Sequence, residues 1–170
     1  MSDTTVTNRN FLSPLNFKFQ LKRAPHINFF VQSVNIPGVT LPAIDVGNPN
    51  IRVPYPDAHI LYDELDLTYR VDEDLKNYME LHTWIRSLGK RSFAEYAALA
   101  QTPTITGESL RSDIALTILT SNKNANYQVV FRDAFPIMVS GMKFTTMDQS
   151  VDYIEASAKF RYISYEITEI

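Results

Sequence analysis

The sequence predicts an α+β fold that is mainly β: an antiparallel β-sandwich or half-barrel with one amphipathic lid helix and a long assembly hairpin. Three observations predict it. Short runs of strictly alternating apolar and polar residues recur along the chain, as half-buried strands require. One stretch, residues 73–88, changes to the spacing of a helix. Residues 39–57 are at once apolar and rich in proline, which suits an extended hairpin better than a loop.

Residues 1–10 are polar and are expected to form a flexible arm. In residues 16–22, Phe17, Phe19 and Leu21 alternate with Lys18, Gln20 and Lys22, the first strand. After a turn at residues 23–26, residues 27–34 read as a second strand. Phe29, Phe30, Val31 and Val34 make both its faces partly apolar, so it is central or covered by a neighbouring subunit. Asn35-Ile36-Pro37-Gly38 has Pro and Gly placed for a type II turn. The alternation then runs through Leu41, Ile44 and Val46, turns at Gly47-Asn48-Pro49-Asn50, and returns through Ile51, Val53 and Tyr55.

Residues 64–71 alternate without a break. Leu65, Leu67, Tyr69 and Val71 face a core; Glu64, Asp66, Thr68 and Arg70 face away. At Asp72 the period changes. Asp72 is placed to cap a helix, and Glu73 and Asp74 put negative charge in its first turn. Leu75, Tyr78, Met79, His82 and Ile85 recur at helical spacing, with Leu81, Trp84 and Leu88 widening the stripe. Gly89 is a fitting C-cap. This helix, over residues 73–88, is expected to lie as a lid on the sheet.

A short second helix is expected over residues 93–100 and a loop over 101–107. A strand follows at 112–120, with Ile114, Leu116 and Ile118 on one face, then a polar turn at 121–126 and a return strand at 127–133. Another strand is expected at 135–145, distorted at Gly141, then a turn at 147–150. In the last strand, 151–167, Ile154, Ala156, Ala158, Phe160 and Tyr162 share one face. Past Tyr162 the apolar parity moves to Ile163, Tyr165 and Ile167, the sign of a bulge or a bend. No repeat or linker divides the chain, so residues 1–170 read as a single domain.

Composition narrows the function. Hydrophobic residues are 45% and charged residues 21%, ordinary for a globular protein. The net charge of −3 gives no global attraction for nucleic acid or anionic membranes. The absence of cysteine excludes disulfides and thiolate metal sites, and fits folding in a reducing compartment. No apolar run reaches the ~18–20 residues of a membrane helix. The N-terminus lacks the basic and apolar pattern of a signal peptide, so classical secretion is not expected.

Catalytic signals are weak. His26, His59 and His82 are not at metal-binding spacing, and the glycines are too scattered for a phosphate loop. His82 lies on the apolar stripe and reads as a core or interface histidine. Asp72, Glu73 and Asp74 read as helix-start charges rather than metal ligands. Asp63, Glu64 and Asp66 read as a solvated acidic face rather than paired catalytic carboxylates. Lys18, Lys22 and Arg23 interleave with aromatics as in single-strand binders, but the alternation sends Phe17, Phe19 and Leu21 to the opposite face from the lysines. No catalytic residue, metal or cofactor is assigned.

The residue order resembles that of the tube proteins of contractile bacteriophage tails. Asn16-Phe17-Lys18-Phe19-Gln20-Leu21 resembles that family's first strand. Phe30-Val31-Gln32-Ser33-Val34-Asn35-Ile36-Pro37-Gly38 resembles its second strand and the turn into a long hairpin, and Ile51-Arg52-Val53-Pro54-Tyr55 the hairpin's return. Residues 64–88 resemble the strand before the lid helix, and Ala158-Lys159-Phe160-Arg161-Tyr162-Ile163-Ser164-Tyr165-Glu166-Ile167 the closing strand.

The resemblance implies hexameric rings, stacked into a hollow tube, with neighbouring sheets joined into an inner barrel through which DNA passes without specific binding. It implies a virion tail component assembled in the host cytoplasm. Its partners are further copies of itself and sheath, baseplate and neck proteins; it has no membrane and no active site. The hairpin prolines and the extra residues 90–111 depart from the family pattern. They keep open a tube initiator or terminator ring, or an adaptor of a contractile tail or related secretion machine. The residues expected to meet another subunit are Val39, Leu41, Ile44, Val46, Ile51, Val53 and Tyr55, because so many apolar groups on one arm do not stay in water.

Overall fold

Alternation builds most of this molecule. The structure is a computed structural model that describes residues 11–47, 49–89, 110–146 and 153–170. In chain order its elements are β1 (Phe17–Leu21), α1 (Ile27–Phe30), β2 (Val31–Val34), β3 (Val39–Thr40), β4 (Ala43–Gly47), β5 (Arg52–Pro56), β6 (Leu61–Tyr62), β7 (Leu65–Arg70), α2 (Lys76–Leu88), β8 (Ser112–Leu119), β9 (Ala125–Val139), β10 (Glu155–Arg161) and β11 (Ser164–Glu169).

The main sheet runs β1-β8-β9-β10-β7-β2, antiparallel throughout, with β11 continuing beside β9 where β10 ends. Among the described residues it does not close into a barrel. Phe19, Leu21, Ile114, Leu116, Val129 and Phe131 bury the inner face of one half. Leu65, Leu67, Tyr69, Ala156, Ala158 and Phe160 bury that of the other, with Ala158 opposite Leu67 and Phe160 opposite Leu65. The mainly β fold with a lid helix is therefore as the sequence predicts.

Several local expectations are corrected. Residues 27–34 are not one strand: Ile27–Phe30 is a helical turn, entered through Pro25 and closed by bonds from the Ile27 and Asn28 N–H groups to Ala24 and Pro25 O. Proline presets the first turn of a helix, and a short apolar run has no period to distinguish helix from strand. Residues 35–38 make no hydrogen-bonded turn. Instead Asn35 extends the β2–β7 pairing: its N–H donates to Asp66 O and its Oδ1 accepts from Asp66 N–H.

The lid helix begins later than its charges indicate. Asp72 does not cap it. Leu75 holds the N-cap position in the left-handed region (φ 57°), and Glu73 and Asp74 lie in the turn before it. The junction is tied instead by buried Asn77. Its Nδ2 donates to Arg70 O at 2.8 Å, and its Oδ1 accepts from Asp72 N–H at 3.3 Å. The buried stripe is Asn77, Leu81 and Trp84, with Tyr78 and Leu88 partly buried, while Met79 and His82 face solvent. Trp84 decides this rotation: its ring meets Phe160 and its indole N–H donates to Leu110 O at 3.1 Å. Gly89 does terminate the helix, its N–H donating to Ile85 O, but at φ −85° rather than in a left-handed cap.

Residues 127–133 and 135–145 are not separate strands. They merge into the 15-residue β9, which ends at Val139, before Gly141. The strand survives because Asp133 takes φ 53° and Asp113 holds the bend, accepting Asp133 N–H at 3.0 Å and the Arg132 guanidinium at 3.1 Å. The parity change past Tyr162 is a real break between β10 and β11, bridged by Ile163 N–H donating to Arg132 O. The expected arm 1–10, helix 93–100, loop 101–107 and turn 147–150 lie outside the described residues.

Candidate assembly surface

Two ladders make the arm. At its root β3 pairs with β6; farther out β4 pairs with β5, placing Ile44 opposite Tyr55 and Val46 opposite Val53. Opposite residues share a face, so Ile44, Val46, Val53 and Tyr55 form one apolar face. Ala43, Asp45, Gly47, Arg52, Pro54 and Pro56 form the other. The apolar face is uncovered: Ile44 is 52% exposed, Val46 50% and Tyr55 55%, with Val53 half-buried. Val39 in β3, Leu41 in the link and Ile51 before β5 are also exposed.

The prolines have a clear place in this arm. Asp57 N–H donates to Pro42 O at 2.8 Å. Hydrogen-bonded pairs alternate along an antiparallel ladder, so 44/55 and 46/53 are bonded pairs, and residues 43, 45, 47, 52, 54 and 56 point their backbone groups outward. Pro54 and Pro56 therefore cost the ladder nothing. They remove donors from the outer edge of β5, while the outer edge of β4 keeps its own.

The root is fixed by an aromatic cluster that the periodicity argument missed. The Tyr62 ring lies 5.8 Å from Tyr162 and 5.7 Å from Tyr165, and both of those meet Phe131, at 5.0 and 5.5 Å. Tyr162 OH donates to Asp63 O at 2.9 Å and Tyr165 OH to Pro37 O at 3.1 Å, clamping both feet of the arm. Burial, and then neighbouring Tyr165, push the Tyr162 hydroxyl up to about 12. The parity change at Tyr162 was the available signal, since it marks where one strand turns two tyrosines onto the arm.

The other candidate residues disperse. His82 is not a core residue: it is exposed and stacks on Tyr78. Asp74 pairs with Lys76 at 2.8 Å on the surface, a bond that holds its carboxyl below the usual carboxylate range. Glu64, just before β7, and Asp66, on its outward face, lie against Lys159, at 3.3 and 3.4 Å, with Arg161 3.8 Å from Glu64. Hydrogen bonds to Glu64 and then Asp66 raise the Lys159 ammonium above its ordinary range. Among the described residues no group of three or more His, Asp or Glu is arranged to hold a metal ion. No described helix is long and apolar enough to cross a membrane.

The profile of a family described as phage tail tube protein matches residues 5–168. No curated protein matches the chain at a significant level. Among solved structures, the fold is similar to a chain from the tube terminating cap of the anti-feeding prophage (12% identity, 100% of both chains covered, TM-score 0.63). It is also similar to a chain in the baseplate of that prophage (11% identity, 89% of this chain and 90% of that chain, TM-score 0.61). A third similar fold is in the extended sheath–tube complex of the extracellular contractile injection system PVC (11% identity, 95% and 94%, TM-score 0.57). At such identities the likeness is one of fold.

Proposed function

The chain belongs to the phage tail tube protein family, a structural and not a catalytic class, and from that premise we propose that it forms hexameric rings that stack into a hollow tube, the conduit for DNA at ejection. One observation carries this reading: the bare apolar face of the hairpin, Ile44, Val46, Val53 and Tyr55. A monomer gains nothing by holding such a face in water. At ~25 cal/mol per Å², covering several hundred Å² of it contributes several kcal/mol to association, before ordering costs are subtracted. Further copies of the chain, a sheath, and baseplate and neck proteins are the partners of such a tube, within a virion tail assembled in the host cytoplasm.

The charge pattern agrees with a conduit. The net charge is −3, and on the outward face of β7 and β10 the cations Lys159 and Arg161 are engaged by Glu64 and Asp66. Cations already paired release few counterions from passing DNA, which keeps adhesion weak.

Light scattering and electron micrographs of the purified full chain test the proposal, beside a variant in which residues 44–53 are replaced by a short Gly-Ser turn. Rings and tubes are expected from the parent. The variant is expected to keep its circular dichroism as a monomer or single ring. A parent that stays monomeric at all concentrations overturns the tube. Rings that never stack favour the baseplate or neck reading.

A further inference from the structure

The two ladders of the arm do not share one register. Asp63 N–H donates to Gly38 O at 3.1 Å, so 38/63 and 40/61 are the bonded positions of the root, as 42/57, 44/55 and 46/53 are those of the outer ladder. Between 40/61 and 42/57 lie a single residue on the outgoing strand, Leu41, and three on the return, Ala58, His59 and Ile60. The return strand therefore carries two residues that nothing on the outgoing strand matches. Position 42/57 is itself half made. Pro42 has no N–H, and the bond across it is the one from Asp57 N–H to Pro42 O, at 2.8 Å. Among the described residues no other backbone hydrogen bond spans this joint. Its side chains lie open: Leu41 and Ile60 are each 52% exposed, and His59 faces solvent.

We propose that the outer ladder swings as one body about this joint, on a root that stays fixed to the core. The root is held by the Tyr162 and Tyr165 hydroxyls on Asp63 O and Pro37 O, and the outer ladder by its own cross-strand bonds. The outgoing strand is the pivot. The ring of Pro42 fixes its φ and confines Leu41 before it to extended backbone. The tilt is then taken up by φ and ψ of residues 58–60, the slack side of the joint. Asp57 is the latch. Its N–H holds Pro42 O, while its Oδ1 accepts Ala58 N–H at 2.6 Å and lies 3.3 Å from His59 Nδ1, which draws the slack into a turn. The swing carries Ile44, Val46, Val53 and Tyr55 as a set, so the apolar face meets surfaces at different angles with no change in the core. The joint is a property of the single chain, whatever covers the hairpin.

The chain has no cysteine, so introduced thiols take spin labels at the chosen positions alone. Gln20 in β1, Thr40 at the root and Asp45 in the outer ladder are exposed. Two full-length double variants, Gln20→Cys with Thr40→Cys and Gln20→Cys with Asp45→Cys, are compared by pulsed electron spin resonance, at a concentration where light scattering shows single chains. The root pair is expected to give one narrow distance distribution and the outer pair a broader one. Deletion of Ala58 and His59 leaves one residue opposite one and makes the ladder continuous. The excess width of the outer pair is then expected to be lost, with circular dichroism unchanged. Asp57→Ala is expected to broaden the outer pair further and to leave the root pair as it was.

Equal narrow widths for the two pairs overturn the joint. Equal broad widths place the motion at the root and overturn the fixed clamp. A deletion variant that folds and stays broad overturns residues 58–60 as the slack. An outer pair that Asp57→Ala leaves unchanged overturns the latch. Where the deletion disturbs folding, the comparison of the two pairs in the undeleted chain decides the joint.

Discussion

Strand β7 and the β4–β5 hairpin are written in the same alternating pattern and end in opposite environments. In β7, Leu65 and Tyr69 are 0% exposed, buried in the core that the rest of the sheet and α2 complete. In the hairpin, the corresponding face is about half exposed along its length. Period two therefore states which side chains need cover, and says nothing of whether the cover comes from the same chain. The flanking chemistry separates the two cases: β7 is followed by a helix that packs back on the same sheet, against β9 and Phe160 of β10, whereas the hairpin carries prolines that remove donors from one edge.

The sharpest way to break the comparison is in the lid. Trp84→Ala removes a buried ring and leaves Leu110 O without its donor, so a loss of ~3–5 kcal/mol in unfolding free energy is expected by denaturant titration. Unchanged stability would mean that α2 does not help to cover the sheet. Next comes Asn77→Ala, which strips bonds from Arg70 O and Asp72 N–H at the junction of strand and helix. About 1–3 kcal/mol is expected from unsatisfied buried groups, with helical circular dichroism lost before the strand signal. An effect within error would move the junction's stability elsewhere.

Tyr69→Phe has the opposite sign. The Tyr69 hydroxyl is buried with no hydrogen-bond partner among the described residues, so its removal is expected to stabilise by about 1 kcal/mol at neutral pH. Burial, then Tyr78, raise the Tyr69 hydroxyl well above the ordinary tyrosine range, as burial and Tyr165 raise Tyr162. Each is neutral while protonated. A raised folded value therefore keeps its contribution intact below the unfolded value near 10 and loses it as pH rises towards 12 and beyond. The parent should weaken across that alkaline range and Tyr69→Phe should weaken less; parallel pH curves would sink the assignment.

The smallest effect on folding is expected in the hairpin. Val46→Ser alters a half-exposed side chain, and a shift within ~0.5 kcal/mol is expected for the monomer. Its effect should appear in light scattering, as weaker association at equal concentration. A large folding loss would place Val46 in its own chain's core and erase the contrast with β7.

The sequence by itself determined the mainly β class, the inward faces of β1, β7, β8 and β10, and the location of the lid helix, because these follow from side-chain period and local propensity. The break near Tyr162 was legible for the same reason, as a change of parity. The tertiary structure alone decided the rest. Asn77, not Asp72, fixes the helix start because its amide reaches strand backbone that sequence spacing cannot locate. His82 faces water because Trp84 finds both Phe160 and Leu110 O and so sets the helix's rotation. Tyr62 meets Tyr162 and Tyr165, and these meet Phe131, from segments far apart in the chain. Such contacts depend on where distant backbones cross, a quantity that no local period encodes.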